Sequence, residues 1–283
     1  MSSARIGPAS RILVQEDCGP WTISSRCSWI IAYLHWRTDM PVATVGGDIM
    51  RGRVLTLAGA IMLAAAPAQA GIESIAQLEP EAGEWEAEWF GAFDGDGEQE
   101  FELLTGLTDQ LALGGEVEFE GPRHGLEFES VAALALWRFT DPDTQPLGFG
   151  LMGSAAINRH GDLTRLEARA IGEVKTPRWW LQGNAILRHS RDDGDRGTGL
   201  AYSASVQTMF AGLWLGVEAS GQAARLSGDA AAAPRGRHYA GPSLTFEHEY
   251  GEEFEVEIGL AWLARLRGDG PDSAPRVFVQ FTF

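Results

Sequence analysis

Basic residues and cysteine are scarce in this 283-residue chain, and each shortage excludes a class of protein. Lys and Arg number 22 against 39 Asp and Glu, Lys175 is the single lysine, and the net charge is -17. Because nucleic-acid binding needs clustered cations, we expect no nucleic-acid partner. The two cysteines, Cys18 and Cys27, lie near the amino terminus, so the rest of the chain offers no disulfide framework and no thiolate metal site.

Long apolar runs are also missing after residue 70, so we expect no transmembrane helix there. The extended apolar stretch before that point covers residues 50–70. It begins with two arginines, continues through a short apolar core and ends in an Ala-Gln-Ala triplet. This order of parts is typical of a secretory signal peptide, so we predict a signal peptide over 50–70 that is cut before Gly71.

From residue 83 onward, apolar and polar residues alternate at period two, in segments that end at turn residues. The stretch "EVEIGLAWLARL" at 255–266 shows the pattern, with one apolar and one charged face. The connections alternate between short turns, such as 108–110, and mostly longer hydrophilic loops, such as 227–237. Tight turns on one side and longer loops on the other are typical of bacterial outer-membrane barrels.

These patterns predict an all-β protein, a transmembrane antiparallel up-and-down β-barrel of about twelve strands behind a signal peptide. We assign residues 83–283 to the barrel and residues 71–82 to a periplasmic lead-in. Residues 1–49 show no sustained hydrophobic period. We interpret them as a disordered, non-native extension from a start codon placed too far upstream.

A soluble β-protein, such as a periplasmic protein that binds a ligand, would show the same alternation with its apolar face inward. Two features favour the membrane. Trp, Tyr and Phe concentrate near predicted strand ends on the apolar face, where membrane interfaces favour amphipathic rings. The chain also stops on a predicted strand, "RVFVQFTF" at 276–283, whose last residue is Phe283.

The segment "RVFVQFTF" resembles the terminal strand of Gram-negative outer-membrane β-barrel proteins, which ends in an aromatic residue with apolar residues at alternate positions before it. The resemblance implies a location in the lipid of the cell outer membrane and recognition of Phe281 and Phe283 by the barrel-assembly machinery. The hairpin "ELLTGLTDQLALGGEVEFE" at 102–120 is similar to hairpins of small barrels in the phenol-degradation MetA-type group. That similarity implies a transport role and no known catalytic residues.

Charge is distributed unequally over the polar face, which would line the barrel lumen. Glutamates dominate the first and last predicted strands, which are neighbours across the barrel closure. The predicted acidic wall consists of Glu84, Glu86, Glu88, Glu100, Glu102, Glu116, Glu118, Glu120, Glu127, Glu129, Glu255 and Glu257. The predicted basic wall, on the sixth and seventh strands, consists of Arg165, Arg169, Lys175 and Arg188.

An excess of acidic residues would concentrate cations in a water-filled lumen. We therefore predict an outer-membrane channel or facilitator for small solutes that favours cations. The alternative is that these charges are structural ion pairs that merely keep the lumen polar. Trp180 and Trp214 are also predicted to point inward, where they would narrow the passage, stack a substrate ring or plug the core.

Arginines cluster toward the predicted outer rim, among them Arg265, Arg267 and Arg276. Arginine suits bidentate phosphate contacts, so lipopolysaccharide is a predicted partner of this rim. The alternative is local pairing with rim aspartates such as Asp269 and Asp272.

An outer-membrane barrel enzyme, such as a lipid hydrolase or deacylase, is the rival interpretation. It would need a nucleophile and a base within hydrogen-bond reach. His189 and Ser190 are adjacent, so on a strand they point to opposite faces. A rim site from His124, His160 and an aspartate stays open, but the chain has no Gly-x-Ser-x-Gly motif and no His pair with metal-ligand spacing. We therefore predict that the chain is not an enzyme and uses no metal or cofactor.

Overall fold

The structure, a computed structural model, covers most of the chain after the predicted signal peptide. It describes residues 72–78, 81–93, 97–121, 125–142, 144–192, 194–251 and 254–283. The predicted signal peptide and the extension before it lie outside the described residues. Within these ranges, no helix is long and apolar enough to cross a membrane.

The fold consists of antiparallel strands that follow the predicted alternating segments. In chain order they are β1 (Trp85–Ala92), β2 (Glu98–Thr108), β3 (Leu111–Glu120), β4 (Glu127–Thr140), β5 (Gly148–Asn158), β6 (Leu163–Lys175), β7 (Trp179–Asp192), β8 (Asp195–Phe210), β9 (Leu213–Gly228), β10 (His238–Glu249), β11 (Glu255–Arg267) and β12 (Ser273–Thr282).

Each strand pairs with the next along the chain, and β1 pairs with β12 to close the barrel. At this seam Glu86 lies opposite Thr282. The Phe283 N–H donates to the Trp85 carbonyl (N···O 2.9 Å), and the Trp85 N–H donates to the Phe283 carbonyl (2.7 Å). Closure therefore leaves no unpaired sheet edge, as a structure that spans lipid requires. The predicted twelve-stranded up-and-down barrel is confirmed.

Short turns lie at the end of the barrel where Trp85 and Phe283 meet, which we call the turn end; the opposite end is the loop end. The β8–β9 turn is formed by Ala211 and Gly212, both with positive φ (53° and 82°). Two such residues give the type I′ geometry that matches the twist of a hairpin, so two residues suffice here.

Large apolar side chains cover the outside of the barrel. On β11, Trp262 is 58% exposed and Leu266 is 68% exposed. Glu257 and Leu263 lie on the opposite face of the same strand and are buried in the interior. Leu113 on β3 is exposed in the same way. Soluble monomers rarely expose so many large apolar side chains, whereas such a surface fits contact with hydrocarbon. The apolar face therefore points outward, as the membrane interpretation predicts.

β4 departs from the predicted alternation. The sequence pattern places Phe128, Leu134 and Leu136 together on the outer face, yet Leu134 and Leu136 are only 4% and 2% exposed and point inward. Pairing with β3 passes directly from Ser130 to Phe128, so Glu129 is an extra residue in a β-bulge. One inserted residue reverses the parity of everything that follows it on the strand.

Candidate functional site: a filled lumen

Residues 72–78, which we call the lumenal segment, lie inside the barrel, although the sequence predicts a periplasmic lead-in there. Ile72 is buried in a cluster from the loop half of β1, β10, β11 and β12 that includes Phe90 and Tyr239. Leu78 is buried in a cluster from the turn end of β3 to β6 that includes Met152 and Ile171. The lumenal segment therefore runs from the loop half of the lumen to its turn end.

Wall side chains hydrogen-bond the backbone of the lumenal segment. Asn184 forms two hydrogen bonds with the backbone of Ala76. Its Oδ1 accepts from the Ala76 N–H (2.8 Å), and its Nδ2 donates to the Ala76 carbonyl (3.1 Å). The Ser203 hydroxyl donates to the Ser74 carbonyl (2.7 Å). These bonds satisfy backbone groups that would otherwise be buried without partners.

Both ends of the lumenal segment are held in the same manner. The Glu73 N–H donates to Ser220 Oγ (2.9 Å) on β9. Arg138 on β4 donates from Nη1 to the Leu78 carbonyl (3.1 Å) at the turn end. Side chains of four wall strands, β4, β7, β8 and β9, thus bind a segment that forms no strand itself.

The Glu73 side chain adds an ionic contact. Its two oxygens accept from Arg188 Nη1 (3.1 Å) and Nη2 (2.6 Å) in a bidentate pair. Arg188 also donates from Nε to Glu167 (2.8 Å), and Glu167 accepts from Arg169 (2.9 Å). We call Glu73, Arg188, Glu167 and Arg169 the latch. Charge-assisted bidentate pairs are among the stronger and more specific contacts in proteins.

Two glycines of β5 make room for the end of the lumenal segment. A Cβ atom added at Gly148 or Gly150 would lie 2.7 or 2.6 Å from a methyl group of Leu78. Non-bonded carbons need about 3.5–4.0 Å. The Leu78 pocket therefore depends on the absence of side chains at these two positions.

The predicted acidic wall is split by the structure into a central group and outlying residues. The central group surrounds a small cavity beside the lumenal segment and consists of Glu86, Glu88, Glu100, Glu102 and Glu116. The cavity has a volume of about 30 Å³. That is room for two or three water molecules at roughly 10–15 Å³ each, so this cavity by itself is too small for a larger solute.

The outlying residues lie toward the two ends of the barrel or in other contacts. Glu120 and Glu127 pair across β3 and β4 at the loop end, with Glu129 exposed in the bulge beside them. Glu84 accepts from the Glu81 N–H (2.9 Å) at the turn end. Three predicted members of the acidic wall remain. Glu118 on β3 accepts from the Ser130 hydroxyl (2.9 Å) and pairs with Arg165. On β11, Glu255 begins the strand and Glu257 accepts from Gln77 of the lumenal segment.

The predicted basic wall contacts acidic residues directly. Arg165 reaches from β6 to β3 and pairs with Glu116 (2.6 Å) and Glu118 (2.8 Å). Lys175 pairs with Glu247 (3.4 Å) near the turn end. Together with Arg169 and Arg188 in the latch, all four predicted basic residues form lumenal ion pairs.

Three carboxylates of the central group differ from Glu116, which pairs with Arg165. Glu88, Glu100 and Glu102 line the central cavity but form no ion pair with any described residue. These three carboxyl groups face the cavity without a contacting arginine or lysine among the described residues. A solute in the cavity would experience their field most directly, because a low-dielectric wall strengthens it.

Arg276 lies in the lumen, although its sequence position predicts the outer rim. It is 3% exposed and pairs with Glu218 of β9. Its guanidinium carbon lies 5.2 Å from the centre of the Phe90 ring and 5.3 Å from that of Phe278. β12 begins at Ser273, earlier than predicted, so Arg276 lies within the strand. Arg276 is two residues from Phe278 and therefore lies on the same face of β12. That spacing could have predicted that Arg276 points inward.

Trp180 and Trp214 point inward, as predicted from parity, and meet near the turn end with ring centres 5.6 Å apart. Trp180 Nε1 donates to Glu173 (2.6 Å), and Trp214 Nε1 donates to Glu247 (3.1 Å). Lys175 lies 4.7 Å from the centre of the Trp180 ring. The pair is fully hydrogen-bonded to the wall, so it narrows the lumen as a fixed element.

No family model matches the chain, and no curated protein matches it. Among solved structures, an outer membrane channel from Pseudomonas putida F1 is similar with a TM-score of 0.50 and 12% identity, over 76% of this chain and 98% of that chain. The KdgM porin is similar with a TM-score of 0.43 and 10% identity, over 70% of this chain and 99% of that chain.

At these identities the likeness concerns the fold. The closed barrel and its exposed apolar outer face agree with that fold. The chain is therefore an outer-membrane β-barrel of twelve strands.

Proposed function

We propose that the protein is an outer-membrane channel or facilitator for small solutes, and that its lumen favours cations. The observation that carries the proposal is the central group of carboxylates. Glu88, Glu100 and Glu102 face the cavity while the nearby arginines are engaged by other acids. Rings or clusters of carboxylates in a pore attract cations and repel anions.

Neutralising the three carboxylates tests the cation preference. In Glu88→Gln/Glu100→Gln/Glu102→Gln, the cation-to-anion permeability ratio should fall at least roughly threefold, because the charges closest to a passing ion are lost. The ratio is measured from the reversal potential of open events in planar bilayers under a KCl gradient.

The matched control removes the same charge where solvent screens it. Glu120, Glu127 and Glu129 are exposed at the loop end, so their triple Gln variant should change the ratio less than about twofold at 0.1 M salt. Equal effects of the two triple variants would contradict a central selectivity site. A protein that gives no conductance but cleaves lipid would overturn the channel proposal.

Lipopolysaccharide and the barrel-assembly machinery are proposed partners. The exposed arginines toward the loop end include Arg159, Arg191, Arg196 and Arg267. Arginine side chains so placed suit the phosphates of the outer leaflet. We expect the quadruple Gln variant to copurify with less lipopolysaccharide than wild type, as quantified by its phosphate content. Arg276, which the sequence analysis counted in this group, is buried in the lumen and does not contribute.

A further inference from the structure

The lumenal segment occupies the space that a solute would have to cross. Its apolar side chains recur at every third position, and Ile72 and Leu78 fill wall clusters at different depths of the lumen. Ile75 between them lines the central cavity together with Ser74 and Ala76. The segment therefore blocks the lumen over much of its length.

The contacts of the lumenal segment are of a kind that can be released without unfolding the barrel. The segment has no strand pairing, and its backbone groups are held by wall side chains such as Asn184 and Ser203. The twelve-stranded ladder closes through β1 and β12 without it. Its departure would cost none of the interstrand hydrogen bonds.

The turn-end side of the segment has a separate anchor. Ala82 forms a bridge with Gly106 of β2, and the Gly83 N–H donates to the Gly106 carbonyl (2.8 Å). A Cβ atom at Gly106 would lie 1.8 Å from the Glu81 carbonyl oxygen, so the chain is in close contact with the wall here. The loop-half part of the segment, with Ile72 and Glu73, has no such backbone anchor within the described residues.

We propose that residues 72–78 are a gate, closed when they lie in the lumen and open when they leave it, with the pair between Glu73 and Arg188 holding the closed state. The proposal rests on the channel function proposed above. Arg188 keeps Glu167 as a second carboxylate when Glu73 departs, so the wall cation stays paired in the open state. That arrangement lowers the cost of release compared with an isolated buried pair.

The gate is tested by weakening it and following both its position and the conductance. The reporter is Ser74→Cys in the full chain with Cys18→Ser and Cys27→Ser, so that one thiol is present. In this background Glu73→Gln removes the carboxylate that pairs the lumenal segment with Arg188. We expect the rate of labelling at position 74 by a membrane-impermeant maleimide to rise at least tenfold, together with the open fraction in planar bilayers.

A matched control tests whether the effect is specific to Glu73, and a second variant tests the apolar contacts of the lumenal segment. Glu127→Gln makes the same chemical change at an exposed position and should alter neither readout. Ile72→Ser/Ile75→Ser/Leu78→Ser empties the apolar pockets and should conduct continuously. A synthetic peptide with the sequence of residues 71–82 should close this variant again, whereas a scrambled peptide should not. Heat-modifiable migration on gels verifies that each variant is folded.

Two results would overturn the proposal in distinguishable ways. If wild type conducts as freely as the variants and labelling at position 74 is unchanged, the gate is wrong while the channel function stands. If labelling rises and the peptide binds but no variant conducts, the segment is mobile and the channel function itself is wrong.

Discussion

Replacing Arg276 with methionine should destabilise the folded barrel by about 3–5 kcal/mol. Arg276 and Glu218 form an ion pair whose side chains are only 4% and 5% exposed. The Phe90 and Phe278 rings occupy the sides of the guanidinium where water would otherwise solvate it. The single substitution leaves the Glu218 carboxylate buried without the cation that pairs with it, and this unpaired charge is the main source of the loss.

A double-mutant cycle separates this effect from lost packing. Glu218→Met alone should destabilise the barrel in the same way, whereas Arg276→Met/Glu218→Met should recover most of the stability, because apolar side chains of similar volume often replace a buried pair at little cost. Arg265→Met is the control, since Arg265 pairs with the solvent-exposed Asp272 and should contribute at most about 1 kcal/mol.

The measurement is urea unfolding of protein refolded into lipid bilayers, followed by tryptophan fluorescence. If the effects of the two single substitutions simply add in the double variant, the buried pair does not have the role described here.

Replacing Phe283 with alanine should reduce the folded barrel recovered from the outer membrane roughly tenfold, because the terminal aromatic residue would no longer be recognised during assembly. Refolding of the purified variant in detergent should change little. The Phe283 side chain is half exposed on the outer face, and its backbone bonds to Trp85 survive in alanine. A large loss in cells with a small loss in detergent therefore points to recognition of the terminal aromatic residue during assembly.

Phe254→Ala is the matched control for the terminal residue. Phe254 is also an exposed aromatic residue at the turn end, and it stacks on Phe281 with ring centres 6.1 Å apart. The same truncation occurs there without altering the end of the chain. If both variants lose equal amounts of folded barrel in cells, the effect comes from the aromatic girdle and not from an assembly signal. If Phe283→Ala also fails to refold in detergent, its role is structural.

The strands were predictable because a lipid-facing sheet imposes a two-residue period that local sequence shows directly. Trp262 and Leu266 on β11 alternate with Glu257 and Leu263 on the inner face, and the structure keeps that parity. The inward positions of Trp180 and Trp214 follow from the same rule. Each of these conclusions needs only neighbours along the chain.

The failures occurred where placement depends on distant residues. The bulge at Glu129 arises from pairing between β3 and β4, and nothing in "LEFESVAALALW" marks it. Glu73 meets Arg188, and Ala76 meets Asn184, across more than a hundred residues of sequence. A short segment with an apolar residue at every third position shows no strand period, so its burial inside the barrel had no local signal.

The pairing of β1 with β12 also governs how the protein must be made. β1 is synthesised before the other strands, but its outer hydrogen-bonding edge is covered only when β12 pairs with it. Contacts this distant in sequence form slowly. Until then both terminal strands offer open templates to other unfinished chains. A polypeptide that stops anywhere before β12 would leave the outer edge of β1 permanently unmatched and open to pairing with other chains.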